Sequence, residues 1–249
     1  MINYLKSRLR GWARRNLLTS NTIRYRVEFP RILDAFKLIG PQDTVFDGGA
    51  GAGQMLRLVN ENGYCKAGHG FEYDPDLYKL LIANFTSLPG FTTEQGSLTE
   101  IPHKDESFDC VLSTQVLEHI VEHEKAASEM GRIVKRNGHL IISVPHPPEP
   151  YPNVGHVREG YTEADLEALF PSPWFERLST SYSYTRPTVR RVMLAETLPF
   201  KGRFLPVGWA DRETKLTDEQ RKEQTPFVIT CLFRKVQAPG FPHLIGGES

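Results

Sequence analysis

The sequence has no net charge. Its 30 lysines and arginines are offset by 30 aspartates and glutamates, so the field of the whole protein gives no reason to expect nucleic acid as a partner. Cysteine is scarce: Cys65, Cys110 and Cys231 are odd in number and far apart. That argues against a disulfide framework or a cysteine-based zinc site and suits a reducing compartment. No apolar run approaches membrane-spanning length, and the first residues lack the apolar core of a signal peptide. The expected localisation is cytoplasmic.

One local bias breaks the balance. Lys6, Arg8, Arg10, Arg14 and Arg15 surround Leu5, Leu9 and Trp12 at helical spacing. A helix over residues 1–20 is expected to pack as a lid with its charges in water. Peripheral contact with an anionic membrane is the alternative, disfavoured because Gly11 weakens the helix and the apolar stripe is short.

Further along, strand and helix patterns alternate five times in about a hundred residues, from "DTVFD" to "GHLIISVP". This predicts an α/β fold, a doubly wound, mostly parallel sheet with ligands at the carboxyl ends of its strands. In "RIVKRNGHLIISVP" the "RNG" segment is read as the stop of a helix. "YTEADLEALF" opens with Thr162 and Asp165 as a capping-box pair. Two final strands are separated by residues 185–225, too long for a hairpin loop. The predicted organisation is a segment 1–20, a core 21–184, an insertion 185–225 serving as substrate lid or oligomer contact (a homodimer is compatible with this), and a final strand and tail over 226–249.

Between the first strand and its helix, "VFDGGAGAGQM" packs four glycines into six residues. A phosphate-binding P-loop needs Lys-Ser/Thr after its last glycine, and here Gln54 and Met55 follow Gly53. A dinucleotide turn needs G-x-G-x-x-G, whereas Gly49, Gly51 and Gly53 form G-x-G-x-G. Asp47, just before the glycines, would repel a pyrophosphate. It suits a cationic ligand, or orders the turn through hydrogen bonds.

These residues resemble motif I of the class I S-adenosylmethionine-dependent methyltransferases, in which an acidic residue precedes G-x-G-x-G. "FDCVLSTQVLEH" and "RIVKRNGHLIISVP" are similar to later stretches of the small-molecule type, which carries a VLEH element, and the resemblance extends over roughly Ile32 to Phe170. It implies a seven-stranded Rossmann-like sheet whose last strand is antiparallel, and S-adenosylmethionine as cofactor. The implied cofactor residues are Asp47, Gly49, Gly51 and Gly53, then Glu72 on the ribose hydroxyls, Tyr73 on adenine, Ser97 and Leu98 at the adenine edge, and Ser113, Thr114 and Gln115 at the end of the fourth strand. The family usually has Asp where this chain has Ser97. The VLEH element is read as a helix.

Methyl transfer to a hydroxyl requires a base, and histidine titrates near neutrality. His119, His146 and His156 lie in the segments expected beyond the strand ends and are the catalytic candidates. Glu118 with these three histidines has metal-ligand chemistry. A related E-x-x-E-H arrangement occurs in ubiquinone-type O-methyltransferases, but its first position is Gln115 here, so no metal is expected. The expected acceptor is a small molecule or sugar, methylated at oxygen rather than nitrogen. No N-P-P-Y-like tetrad follows the fourth strand, which disfavours nucleic-acid methylation. The competing reading is a catalytically degenerate relative acting as a binding or assembly module.

Overall fold

The computed structural model describes residues 17–18, 20–86, 88–148, 155–197 and 205–236. The expected basic helix and the tail lie almost wholly outside these residues. Seven strands form one sheet: β1 (Gln42–Gly48), β2 (Cys65–Glu72), β3 (Phe91–Gln95), β4 (Phe108–Thr114), β5 (Val134–Pro145), β6 (Phe175–Thr185) and β7 (Pro226–Lys235). Their order across the sheet is β3-β2-β1-β4-β5-β7-β6. The pairings β1–β2, β1–β4, β2–β3 and β4–β5 are all parallel. The chain therefore runs outward from β1 to one edge, then returns to start again at β4. This reversal creates a crevice at the carboxyl ends of β1 and β4, where ligands bind in such sheets.

The helices are α1 (Ser20–Val27), α2 (Phe29–Ile39), α3 (Gln54–Glu61), α4 (Pro75–Phe85), α5 (His123–Ile133), α6 (Glu163–Leu169), α7 (Arg186–Thr197), α8 (Val207–Lys215) and α9 (Asp218–Glu223). Apolar spacing accounts for how they dock. Met55, Leu56 and Val59 of α3 are buried, as are Ala126, Ala127, Met130 and Ile133 of α5. Asp74 caps α4 by accepting from the Asp76 and Leu77 amides. The Thr162–Asp165 capping box forms as its spacing predicts. No helix among the described residues is long and apolar enough to cross a membrane.

Two local expectations are corrected. Residues Lys135–Gly138 bulge out of β5 instead of ending a helix: Phe108 pairs with Val134 while Cys110 pairs with His139, and Asn137 takes φ 61°. Leu117–His119 is a single 3-10 turn, not a helix, because Gln115 enters it in the left-handed region at φ 57°.

The chain forms two compact units. One comprises residues 32–181 with the strand from Ile229, and holds the five strands β1–β5. The other combines the described residues through Arg31 with Tyr182–Val228. Its core is Ile23, Val27, Tyr184, Val189, Leu205, Ala210 and Val228. There Glu213 is buried and accepts from both the amide and the hydroxyl of Thr185, while the buried Arg221 donates to the Glu213 carbonyl.

The glycine turn after β1 is the tightest part of the larger unit. Gly53 has φ 82°, and a β-carbon there would overlap the Phe85 ring and Leu81. Gly51 also has positive φ, at 57°, but faces open space. Gly53→Ala is therefore expected to cost about 2–4 kcal/mol, through strain plus overpacking. Gly51→Ala is expected to cost only ~1 kcal/mol, from backbone strain alone. Urea unfolding of the two variants beside the wild type checks this ranking.

Candidate active site

Three segments of the larger unit converge on the glycine turn. From β2, Phe71 accepts hydrogen bonds at its carbonyl from the amides of Gly49 and Ala50, at 2.8 and 3.0 Å. Glu72 accepts from the Gly51 amide at 2.7 Å through one oxygen and from the Asp74 amide at 2.9 Å through the other. From β4, the buried Ser113 hydroxyl donates to the Gly48 carbonyl at 3.0 Å. The Val116 side chain occupies the place a β-carbon on Gly49 would need. The turn is thus fixed from both sides, and Gly51 is left facing open space.

Asp47 lies beneath this turn. It is 1% exposed, and neither carboxylate oxygen has a hydrogen-bond partner. Burial chiefly, and then the negative Glu72 nearby, push its pKa up to about 7, with the Leu56 amide acting in the opposite direction. A buried acid with no partner is costly in a fold that makes no use of it. The Gln115 side-chain amide nitrogen is likewise buried without a partner.

The other implied cofactor residues divide by accessibility. Tyr73 is 74% exposed beside Glu72, free to cover a flat ring. Leu98 is buried, its methyl carbons against Gly48. Ser97 shares its hydroxyl with Thr99, at 2.8 Å to the Thr99 hydroxyl and 3.2 Å to its amide. Thr114 pairs with Ser143 across β4 and β5, and the Gln115 amide donates to the Ser143 carbonyl at 2.7 Å. Ser113 and Ser97 therefore spend hydroxyl capacity on holding backbone. Asp47, Gly51, Glu72, Tyr73 and Gln115 retain groups or space for a ligand. Val116 was missed by sequence reasoning, because its role against Gly49 exists only once β4 lies beside β1.

The catalytic candidates separate in the same way. His119 and His156 meet edge to face, with ring centroids 4.6 Å apart. His119 Nδ1 lies 3.0 Å from the Gly155 carbonyl oxygen, and its Nε2 lies 4.0 Å from a carboxylate oxygen of the fully buried Glu118. His119 is 45% exposed at its side chain. Tyr161 secures this region, its hydroxyl donating to the Leu117 carbonyl at 3.0 Å. His146, after β5, does not join the Glu118–His119–His156 group; with His123 it acts electrostatically on Asp165.

Part of the chain is similar to known proteins. Residues 46–142 match the family described as "Methyltransferase domain". A probable S-adenosylmethionine-dependent methyltransferase of Mycolicibacterium smegmatis is 28% identical over 138 residues, 53% of this chain and 51% of that protein. A demethylmenaquinone methyltransferase of Mycobacterium sp. (strain KMS) is 30% identical over 105 residues, 42% of each chain. The chain thus spans about half, or less, of the curated relatives it matches. Among solved structures, the N-methyltransferase NodS of Bradyrhizobium japonicum, in complex with S-adenosylhomocysteine, aligns with TM-score 0.56 at 12% identity, over 84% of this chain and 86% of that one. The [4+2]-cyclase SpnF aligns with TM-score 0.59 at 19% identity, over 84% and 82%. At these identities the likeness is one of fold.

The raised pKa of Asp47 has a defined sign. Its folded value, about 7, lies above the ordinary 3.8, so the stability tied to the neutral acid is full below about pH 3.8 and is lost as pH rises through 7. Asp47→Asn should raise the melting temperature of the ligand-free protein at pH 8, by a stability gain on the order of a few kcal/mol. The gain should shrink toward pH 4, which thermal unfolding across that range checks.

Proposed function

We propose that the chain, whose residues 46–142 match the family described as "Methyltransferase domain", transfers a methyl group from S-adenosylmethionine to a hydroxyl of a small-molecule or glycan-type acceptor. The observation that carries this reading is the buried, partnerless Asp47 carboxyl beneath a glycine turn whose Gly51 faces open space. A phosphate-bearing nucleotide would add negative charge next to Asp47 and Glu72, whereas a phosphate-free cationic nucleoside relieves it. S-adenosylmethionine supplies, when bound, a methyl group activated by a sulfonium leaving group.

The residues of the chain have distinct tasks. Glu72 keeps one set of lone pairs on the Gly51 and Asp74 amides and offers the others to a ribose. Tyr73 covers one face of the adenine. The unpartnered Gln115 amide nitrogen donates to a ligand oxygen, and the charge on Asp47 is favoured by a nearby cation. Orientation of the acceptor hydroxyl against the methyl carbon then provides most of the rate.

His119 is the base. Donation of its Nδ1–H to the Gly155 carbonyl leaves Nε2 with a lone pair, and the Glu118 carboxylate 4.0 Å away stabilises the imidazolium that forms when Nε2 takes the acceptor proton. The presence of a base is the reason oxygen is favoured over nitrogen as acceptor. The proposed setting is the cytoplasm, supported by three buried cysteines that are all free thiols.

Calorimetric titration with S-adenosylmethionine tests the cofactor. Asp47→Ala and Glu72→Ala are each expected to weaken binding at least about tenfold, the equivalent of one lost charge-assisted contact. Absence of binding in the wild-type chain would leave the binding-module alternative. With a panel of hydroxylated acceptors, His119→Ala is expected to lower kcat by ~100-fold while cofactor affinity is kept. An equal loss of affinity would instead make His119 a cofactor ligand.

A further inference from the structure

Away from the glycine turn, two histidines and a glutamate far apart in the chain bring their ligand atoms close to one another. His69 lies on β2, Glu94 on β3, and His103 in the loop that leads to β4. His69 Nε2 and His103 Nε2 are 3.2 Å apart. Glu94 Oε2 is 3.6 Å from the first and 3.4 Å from the second. We propose that His69, Glu94 and His103 form a binding site for a divalent metal ion of the zinc class, separate from the candidate active site.

The triangle has the dimensions of a coordination shell. Bonds of about 2.0–2.1 Å place tetrahedral ligands about 3.3 Å apart, the separation seen here, whereas octahedral ligands at similar bond lengths stand about 3.0 Å apart. Two imidazoles and one carboxylate form a zinc donor set that leaves a fourth position for water. The single negative charge of Glu94 suits a divalent cation better than it suits two neutral rings.

The surroundings support the same assignment. Thr92 Oγ1 lies 2.7 Å from His69 Nδ1, placed to accept the Nδ1 proton and leave the Nε2 lone pair aimed into the triangle. Thr92 and Glu94 share one face of β3 by strand alternation, and Thr92 pairs with His69 across the ladder. The floor is aromatic: His69 stacks on Phe46 with centroids 5.5 Å apart, and His103 stands edge-on to Phe108 at 5.2 Å. Without a cation, the three converging atoms are held together only by the protons that the two imidazoles carry on Nε2. Side-chain exposures of 11% for His69, 25% for His103 and 39% for Glu94 leave the open vertex reachable by solvent.

His103 is positioned independently of any metal. The Arg132 guanidinium donates to the His103 carbonyl at 2.6 Å and to the Ile101 carbonyl at 2.9 Å, and Glu129 accepts from the Ile101 amide. The third ligand is therefore pre-organised, and little ordering entropy opposes binding. A bound ion would tie the loop after β3 to β2 and β3, a structural role that does not depend on the methyl-transfer reading.

The test uses the full chain, stripped with a chelator and titrated with zinc(II) by calorimetry and thermal shift. One equivalent should bind and raise the melting temperature. Cobalt(II) in the same site should show the visible absorption of a four- or five-coordinate ion. His103→Ala and Glu94→Gln, both at partly exposed positions, should each weaken binding at least about 100-fold, beyond the loss of a second-sphere partner. His119→Ala should leave this equivalent in place. No zinc binding, a six-coordinate cobalt spectrum, binding indifferent to His103 and Glu94, or loss of the equivalent on His119→Ala would each overturn the proposal.

Discussion

The Glu72 carboxylate holds the Gly51 amide at 2.7 Å and the Asp74 amide at 2.9 Å, and the candidate active site depends on those two bonds. They join the end of β2 to the glycine turn after β1 and to the cap of α4. Hydrogen bonds to an ionised acceptor are roughly twice as strong as neutral ones, so the turn keeps its shape without side chains of its own. The same charge has a second effect. Together with burial it keeps Asp47 toward its neutral form, and a positive charge placed beside it would favour the ionised form. One carboxylate thus builds the cradle and tunes it.

Support for this region comes from the end of α5. Arg132 in its last turn binds the loop carbonyls of Ile101 and His103 while paired with Glu129 and Asp105. Lys235, from β7, is buried where that helix ends and donates to the carbonyls of Gly131 and Val134 at 2.9 and 2.8 Å. Carbonyls that a helix terminus leaves unsatisfied are met by a strand about a hundred residues later. Burial lowers the Lys235 pKa, countered in part by Glu106. Two cations therefore fasten one helix end to the sheet and to the loop beside the histidine–glutamate cluster.

The same architecture underlies a methyltransferase and a [4+2]-cyclase among the solved structures, so architecture alone does not select a reaction. Selection falls to the side chains at the carboxyl ends of the strands, and those differ in how legible they are. The alternation of strands and helices could be read from the sequence because each element carries its own apolar period. Asp47, the glycines and Glu72 were legible because the turn is local and the acid falls at the next strand end. The Lys135–Gly138 bulge was not legible: Asn-Gly stops helices and kinks strands equally well, and only the partner β4 decides between them. The single turn at Leu117–His119 was hidden for a similar reason, since nothing local announces the left-handed Gln115.

Legible in the sequence were the alternation of the sheet's strands and helices, the glycine turn and the residues able to carry charge beside it. These follow from short-range rules: period, capping and the steric freedom of glycine. The tertiary structure decided which polar groups are spent and which remain. It committed the Ser113 hydroxyl to the Gly48 carbonyl, left Asp47 without a partner, and paired His119 with His156 while leaving His146 out of that group. It also brought His69, Glu94 and His103 to within 3.6 Å of one another. Such pairings depend on strand register and loop path, which bring distant residues together for reasons of packing that no local pattern records.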